Sequence, residues 1–217
     1  MCGIWGTSDN ERFDILYQLN RDRGNFAYGG YYVKDSTSDE MEKIEGVKPL
    51  SSPSSKQFKF KLGHTQSPTS SKRSFDFYTS HPFIYDSWYV AHNGVLTNDR
   101  VLAKELQITN PVDTAVIPAL ICREFDSSGS SSEVSAIERA FSLLKGTFGC
   151  WIYNSATLNA YIVRCGSTLF YKDCEFSSRC ADGMTSLEEG IVYKVNYNTN
   201  TIESIGEFVY DSPYLIL

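Results

Sequence analysis

The order of strand-like and helix-like segments constrains the fold of this 217-residue chain most strongly. Period-two alternation of apolar residues predicts strands at 58–62 and 88–90, and continuous apolar runs predict more deeply buried strands at 151–153 and 161–163. Helical segments lie between these groups of strands, and they do not alternate with strands one for one as in a doubly wound parallel sheet. We therefore predict an α+β fold in which two antiparallel sheets lie between layers of helices.

Three segments carry the hydrophobic period of an amphipathic helix. The first includes residues 13–19, and the second runs through residues 134–144 with Ser132 as its N-cap. The third follows Asp113, and Pro118 inside it is expected to kink the helix or to shorten its first turns.

Composition and charge exclude several classes of protein. Of the 217 residues 41% are hydrophobic, which is enough for one sizeable core, so we expect a single domain spanning 1–217. The serine-rich stretches 51–55 and 127–132 are expected to be surface loops within it. With 20 basic and 26 acidic residues the chain has no basic run that would neutralise a phosphate backbone, so we expect no nucleic-acid partner. It also has no signal-peptide pattern and no apolar run that would cross a bilayer, so we expect a soluble cytoplasmic protein without a membrane partner.

Cysteine usage argues against disulfides and metal sites. The chain has six cysteines, and no two of them form a CxxC pair. The spacing of Cys174 and Cys180 is too irregular for a zinc site, and the other internal cysteines lie in apolar segments. In a reducing cytoplasm the internal cysteines are expected to be free thiols of the core, and we expect neither a metal nor another cofactor.

The cysteine at position 2 has a different potential role. Removal of Met1, which a small second side chain permits, leaves a thiol and a free α-amino group on one residue. The unperturbed pKa of that amine is about 7.7 to 8.0, so near neutrality a useful fraction of it accepts a proton from the thiol. Cys2 is therefore a candidate nucleophile with its own base. The alternative is a small apolar residue that begins a strand, since free cysteine is usually buried and inert.

Three later motifs place polar groups at the ends of predicted elements, and each also has an ordinary structural interpretation. Gly63 ends a predicted strand and opens a polar turn that extends to Thr69. Asn93 and Gly94 are a typical hairpin pair, yet an amide NH2 beside a glycine N–H also makes a two-donor oxyanion hole. Asp113 at a helix start is most often a cap, and it is also a carboxylate that can hold an ammonium group.

Taken in order, these motifs resemble the class II glutamine amidotransferase domain. This is the amino-terminal-nucleophile (Ntn) hydrolase domain of glucosamine-6-phosphate synthase, amidophosphoribosyltransferase and asparagine synthetase. The matching segments, which cover nearly the whole chain, are Cys2-Gly3-Ile4, Arg21-Asp22-Arg23-Gly24, Gly63-His64 with Thr69, His92-Asn93-Gly94, Asp113-Thr114, Lys145-Gly146-Thr147-Phe148-Gly149 and Arg164-Cys165-Gly166-Ser167-Thr168-Leu169. The resemblance implies the four-layer αββα fold of Ntn hydrolases and an enzyme that releases ammonia from glutamine.

The resemblance also implies roles for single residues. Cys2 resembles the nucleophile that attacks the side-chain amide of glutamine and forms a γ-glutamyl thioester. Asn93 and Gly94 resemble the donors of the oxyanion hole. Asp113 is similar to the acid that binds the substrate α-ammonium, and Thr69 to a hydroxyl in the glutamine pocket.

One position departs from the family pattern. Gln66 stands where the family usually has an arginine that forms a bidentate pair with the α-carboxylate of glutamine. Three explanations are open: Arg73 or Lys72 supplies the missing cation, the substrate is another γ-glutamyl or amide compound, or the site is degenerate and the chain is a non-catalytic interaction module. The retained nucleophile, oxyanion pair and acid favour the first. Gln66 and Arg73 are therefore both expected to bind substrate.

The resemblance implies L-glutamine as substrate and a protein partner. The family normally fuses this domain to an acceptor domain, and this sequence contains none before Leu217. We therefore expect an acceptor synthase on a separate polypeptide, docked near the pocket so that ammonia reaches it directly. His64 and His92 lie inside the motifs and are expected to orient or pack without touching substrate.

Overall fold

A seven-stranded and a six-stranded sheet form the centre of the fold in a computed structural model. The structure describes residues 2–34, 38–47, 58–67, 74–127 and 132–211. The strands of the described residues are β1 (Gly3–Thr7), β2 (Ala27–Val33), β3 (Glu40–Glu45), β4 (Phe60–Gln66), β5 (Phe83–Tyr85), β6 (Trp88–Leu96), β7 (Gly146–Asn154), β8 (Asn159–Cys165), β9 (Phe170–Lys172), β10 (Glu175–Ser177), β11 (Thr185–Ser186), β12 (Ile191–Asn196) and β13 (Thr201–Glu207). The first sheet has the order β11-β9-β10-β1-β4-β2-β3, the second has the order β13-β12-β8-β7-β6-β5, and the strand pairs are antiparallel.

The helices of the described residues are α1 (Asn10–Asn20), α2 (Asp99–Leu106), α3 (Val116–Ser127) and α4 (Glu133–Ser142). Helix α1 begins after Asp9, whose carboxylate accepts a hydrogen bond from the Arg12 N–H at 2.9 Å. Helix α4 begins after the predicted cap Ser132, whose hydroxyl accepts a hydrogen bond from the Ser135 N–H at 3.4 Å. Pro118 is the third residue of α3, so it lies in the first turn, where backbone N–H groups have no intrahelical partner.

Hydrophobic clusters separate four layers. One cluster packs α1 on the first sheet and includes Trp5 of β1 and Phe13 of α1. A second lies between the sheets and includes Ile4 of β1 and Trp151 of β7. A third packs α2, α3 and α4 on the second sheet, with Ile137 of α4 fully buried in it. The predicted αββα arrangement of two antiparallel sheets between helical layers is confirmed.

Two segments predicted as possible turns are strands. Strand β4 continues through Gly63 to Gln66 and does not turn at the glycine. A Cβ at Gly63 would lie 2.2 Å from Cε2 of Trp5, so this glycine makes room for an aromatic ring on the neighbouring strand. The hairpin alternative for Asn93 and Gly94 is also wrong, because both lie inside β6, which pairs with β7 over its whole length.

The cysteines of the described residues are all free. Cys150, Cys165 and Cys174 are buried, as predicted for core thiols. Cys180 is exposed and Cys122 is half-buried, so the prediction of a core position is wrong for these two. The serine-rich stretch 51–55 lies outside the described residues. Among the described helices, none combines the length and the apolarity needed to span a bilayer.

Candidate active site

Cys2 lies at the amino end of β1, in the middle of the first sheet. Further along β1, Ile4 packs between the two sheets and Trp5 packs toward α1. Because side chains alternate along a strand, Cys2 belongs to the same face as Ile4, toward the second sheet. Continuing the β1–β4 register by one residue sets Cys2 opposite Gln66.

The Cys2 thiol is half-buried and surrounded by polar groups. Its Sγ atom lies 3.7 Å from the carbonyl oxygen of Ser67. The Arg23 Nε–H donates to the Cys2 carbonyl oxygen at 2.7 Å and holds the start of β1 in place. Burial raises the pKa of the thiol, and the negative charge of Asp113 acts in the same direction. A thiol that stays protonated needs a base to remove its proton during attack.

Asn93 reaches the amino end of β1 from the second sheet. Its side chain is 2% exposed, and its Nδ2 donates to Oγ of Ser178 at 3.4 Å. The same Ser178 oxygen accepts a hydrogen bond from the Ile4 N–H at 3.1 Å. One serine therefore joins the strand that carries Asn93 to the strand that carries Cys2.

Gly94 follows Asn93 at a point where β6 and β7 approach closely. Its φ is +155°, and a Cβ at this position would lie 2.0 Å from the carbonyl oxygen of Thr147 and 2.7 Å from Nε2 of His92. A side chain has no room here, so the position requires glycine.

Asp113 begins a 3₁₀ turn (Asp113–Ala115) beside the end of β6. Its Oδ2 accepts a hydrogen bond from the Leu96 N–H at 3.0 Å, and its Oδ1 accepts one from the Thr114 N–H at 2.8 Å. The side chain is 23% exposed. The carboxylate is thus fixed by backbone donors on one side and keeps lone pairs open on the other, where an ammonium group can bind.

The three histidines of the chain form one buried cluster next to Asp113. The His64 and His81 rings stack with centroids 3.8 Å apart, and His64 Nε2 donates to the His92 carbonyl oxygen at 3.3 Å. His81 Nε2 and His92 Nδ1 both contact Oγ1 of Thr114, at 2.9 and 3.1 Å. Burial lowers the pKa of His92, and it lowers the pKa of His64 to about 3. Both rings are therefore neutral at neutral pH, in keeping with the orienting or packing role expected from the sequence.

Gln66 ends β4 and is 2% exposed. Leu62 packs between the sheets, so Gln66, four residues further along the strand, faces the second sheet as well. Its Oε1 atom has no hydrogen-bond partner among the described residues. Of the other expected substrate-binding residues, Thr69 and Arg73 lie outside the described residues, as does Lys72.

Three residues that hold this site together carry no clear signal in the sequence. Ser178 is 85 residues from Asn93 and 174 residues from Ile4, and no spacing pattern reports contacts over such separations. Thr114 is visible only as the neighbour of Asp113, and His81 belongs to no motif.

The groups that converge here suit acyl transfer. Ser178 links the Asn93 amide to the strand that follows Cys2, and the charge of the partly open Asp113 carboxylate acts on the Cys2 thiol. Acyl transfer uses groups of these types as a nucleophile, as donors to an oxyanion and as a site for a substrate cation. Among the described residues, no group of three or more His, Cys, Asp or Glu side chains is arranged to hold a metal ion.

Comparisons with known proteins address the fold. The sequence is 23% identical over 240 residues to glutamine–fructose-6-phosphate aminotransferase (isomerizing) of Helicobacter pylori strain J99, covering 98% of this chain and 40% of that protein. The fold matches glutamine phosphoribosylpyrophosphate amidotransferase of B. subtilis, solved with ADP and GMP, with a TM-score of 0.72 and 20% identity over 96% of this chain and 49% of that one. The chain has a glutamine amidotransferase fold.

A second structure with this amidotransferase fold, described as the allosteric regulatory enzyme of purine biosynthesis, gives a TM-score of 0.72 and 21% identity over 98% of this chain and 50% of that one. No protein-family model matches the sequence. The chain spans 40% of the length of the curated relative and about half the length of the two solved structures. The resemblance predicted from the motifs is confirmed at the level of the amidotransferase fold.

Proposed function

We propose that the protein hydrolyses the side-chain amide of glutamine with Cys2 as the nucleophile. Sγ of Cys2 attacks the side-chain carbonyl carbon, while the α-amino group of Cys2, freed by loss of Met1, takes the thiol proton. The Asn93 amide and the Gly94 N–H donate to the oxyanion of the tetrahedral intermediate. The C–N bond then breaks, the amine returns its proton to the leaving ammonia, and a γ-glutamyl thioester remains. Water attacks the thioester, releases glutamate and restores the thiol.

One observation supports this proposal above the others. The Ser178 oxygen binds the Asn93 side chain and the Ile4 N–H, which lies two residues beyond Cys2. The amide and the thiol therefore belong to one connected structure, although they come from different sheets. Preorganised donors beside a nucleophile are worth more than the same groups in water, because they need no reorganisation as charge develops.

The remaining site residues are proposed to bind the amino-acid end of the substrate. Asp113 binds the α-ammonium, since its carboxylate is anchored by two backbone N–H groups and stays partly open. Gln66, opposite Cys2, contacts the other polar group of that end. Thr69 and Arg73 are proposed to bind substrate as well, with Arg73 supplying the cation that Gln66 does not.

Covalent labelling tests the nucleophile. The protein is incubated with an electrophilic glutamine analogue, and intact mass is measured for the wild type and for Cys2→Ala. We expect one adduct on the wild type, mapped to Cys2, and none on the variant. The exposed Cys180 is an internal control, because a non-selective reagent would label it in both proteins. No adduct on the wild type, or an equal adduct on Cys2→Ala, contradicts the proposal. The same spectrum shows whether Met1 has been removed.

We further propose that the ammonia passes to an acceptor synthase in trans. Free ammonia is largely protonated near neutral pH and is then no nucleophile, so an acceptor enzyme gains from a direct route. The chain spans 40% of the length of the H. pylori aminotransferase. Size-exclusion chromatography with a co-encoded synthase, together with glutaminase assays, tests this. Co-elution and a raised glutaminase rate are expected, and a rate indifferent to every such partner contradicts it.

Gln66 favours a second candidate, an amidohydrolase that acts on a different γ-glutamyl or amide compound. Its buried Oε1 without a partner among the described residues suits a substrate group that donates a hydrogen bond, which a carboxylate does not. A panel of γ-glutamyl amides separates the candidates. Glutamine hydrolysed at least about tenfold faster than the others supports the first proposal, since one charge-assisted contact is worth about that factor. The reverse order supports the second.

A further inference from the structure

The hydroxyl of Thr114 lies among three groups that compete for its single proton. Oγ1 is 2.9 Å from His81 Nε2, 3.1 Å from His92 Nδ1 and 3.3 Å from Oδ1 of Asp113. Thr114 is 1% exposed, so bulk water does not supply the missing donors or acceptors. The donor and acceptor roles in this cluster are therefore set by the protein groups themselves.

The position of Thr147 settles the tautomer of His92. Nε2 of His92 lies 3.1 Å from the carbonyl oxygen of Thr147, and a carbonyl only accepts, so the ring proton is on Nε2. Nδ1 of a neutral His92 then carries a lone pair and accepts a hydrogen bond. Among the described residues, the donor that lies within reach of it is the Thr114 hydroxyl. With its proton given to His92, Oγ1 of Thr114 accepts from His81 Nε2–H.

This direction of bonding leaves Asp113 uncompensated. Its Oδ1 and Oδ2 then accept only the backbone N–H groups of Thr114 and Leu96, because a Thr114 hydroxyl that donates to His92 does not donate to Asp113 Oδ1, 3.3 Å away. If His92 carried a second proton on Nδ1, that proton would face Asp113 Oδ2, which lies 3.9 Å away. The Thr114 hydroxyl would then turn toward Asp113, and the negative charge would be satisfied from inside the protein.

We propose that Thr114 is a positioning residue whose hydroxyl donates to Nδ1 of the neutral, Nε2-protonated His92 and so keeps the Asp113 carboxylate available for a cationic group of the substrate. The proposal rests on the proposed function, in which that group is the α-ammonium of glutamine.

The groups around His92 support its neutral state. Asp113 on the 3₁₀ turn favours the charged ring, whereas burial disfavours it and lowers the pKa of His92. From the other packed elements His92 meets His64 of β4 and Cys150, which lies opposite it on β7. His81 meets it through Thr114. Apart from Asp113, none of these groups supplies a negative charge at neutral pH.

Steady-state kinetics on three variants tests the proposal. Thr114→Val keeps the shape and removes the hydroxyl, Thr114→Ser restores it, and Thr7→Val is the matched control. Thr7 is 3% exposed at the far end of β1 and loses one hydrogen bond, from the Asp9 N–H at 3.1 Å. We expect Thr114→Val to raise KM for glutamine about tenfold with kcat changed less than about threefold, because a contact made equally in ground and transition states affects KM alone. The rise should grow as the pH falls, since His92 then pairs with Asp113.

Thr114→Ser and Thr7→Val should keep the wild-type KM. An unchanged KM in Thr114→Val, or an equal rise in Thr7→Val, overturns the proposal. So does a Thr114→Val variant that loses kcat and keeps KM.

A second measurement does not depend on activity or on the stability of a variant. Nitrogen-15 NMR of the wild-type imidazoles reports which ring nitrogen carries the proton. We expect a proton on Nε2 of His92 and none on Nδ1, and a proton on Nδ1 overturns the proposal even if Thr114→Val fails to fold. An inactive wild type without a Cys2 adduct contradicts the proposed function instead, whereas an active wild type with a normal KM in Thr114→Val contradicts only the role of Thr114.

Discussion

A single oxygen atom, Oγ of Ser178, links the proposed nucleophile strand to the proposed oxyanion donor. It accepts hydrogen bonds from the Ile4 N–H and from Nδ2 of Asn93. Ser178→Ala leaves the Asn93 amide in place and removes the acceptor that fixes its orientation. We expect kcat for glutamine to fall about tenfold, less than the 10²–10³ seen when a donor is deleted, with KM changed less than about twofold. Steady-state kinetics measures both.

The neighbouring serine is a matched control for this prediction. Ser177 is also fully buried, and its Oγ accepts hydrogen bonds from Asn20 Nδ2 at 2.8 Å and from the Arg179 N–H at 3.1 Å. Asn20 ends α1, which packs on the face of the first sheet opposite to that of Ile4. Ser177→Ala should lower the melting temperature and keep the wild-type kcat. An equal fall of kcat in both variants would mean that Ser178 acts through general stability alone.

Strand β6 depends on glycine at its point of closest approach to β7. Gly94→Ala would set a Cβ 2.0 Å from the Thr147 carbonyl oxygen at a φ of +155°. We expect a loss of at least about 2 kcal/mol in the free energy of unfolding and a fall in kcat, because the strand has to move at the proposed oxyanion donors. Thermal unfolding and kinetics measure these effects.

Gly149 on β7 offers the comparison, since it pairs with Asn93 and a Cβ there would meet no atom closer than 3.6 Å. Gly149→Ala should fold with nearly the wild-type melting temperature. If both alanine variants behave alike, the close approach at Gly94 is not what constrains this strand.

Local pattern predicted the elements that have their own hydrophobic period. The cap at Ser132 agrees with the structure, because this signal depends on a few neighbouring residues. The turns suggested by Gly63 and by Asn93-Gly94 are wrong, since these residues lie inside paired strands. Their glycines allow neighbouring groups to pack closely. The short strands β9, β10 and β11 were not predicted, because two or three residues carry no period.

Some residues of the candidate site were likewise proposed from the sequence, and others were recognised only in the structure. Motif residues such as Cys2 and Asp113 were proposed as site residues from the sequence because the residue type and its position carry the chemical signal. Ser178 and His81 were not, because their importance comes from contacts such as Ser178 with Asn93, over 85 residues, and His81 with Thr114, over 33 residues. A single sequence gives no information on such pairs.

Polar contacts cross between the two sheets near the candidate site as well as apolar ones. Trp151 Nε1 donates to the Gly63 carbonyl oxygen at 3.1 Å, and His64 Nε2 donates to the His92 carbonyl oxygen at 3.3 Å. Trp151 and His64 are fully buried. The relative position of the sheets therefore depends in part on hydrogen bonds from two buried rings.

The stability of the whole molecule should accordingly depend on pH through His64. Burial lowers the pKa of His64 from 6.5 to about 3 in the folded protein. Between these values the unfolded chain binds a proton that the folded protein does not, so protonation favours unfolding. The contribution of His64 is fully present above pH 6.5 and is lost as the pH falls toward 3. His92, whose pKa is also lowered by burial, acts in the same direction.

His64→Gln tests this dependence, because glutamine keeps a donor for the His92 carbonyl oxygen and does not titrate. We expect the melting temperature of the wild type to fall more steeply than that of the variant between about pH 7 and pH 4. Carboxylates titrate over part of the same range, but they are common to both proteins, so the difference between the two curves isolates His64. Scanning calorimetry at a series of pH values gives both curves. Parallel curves would mean that His64 keeps its ordinary pKa in the folded protein. This result would contradict the prediction.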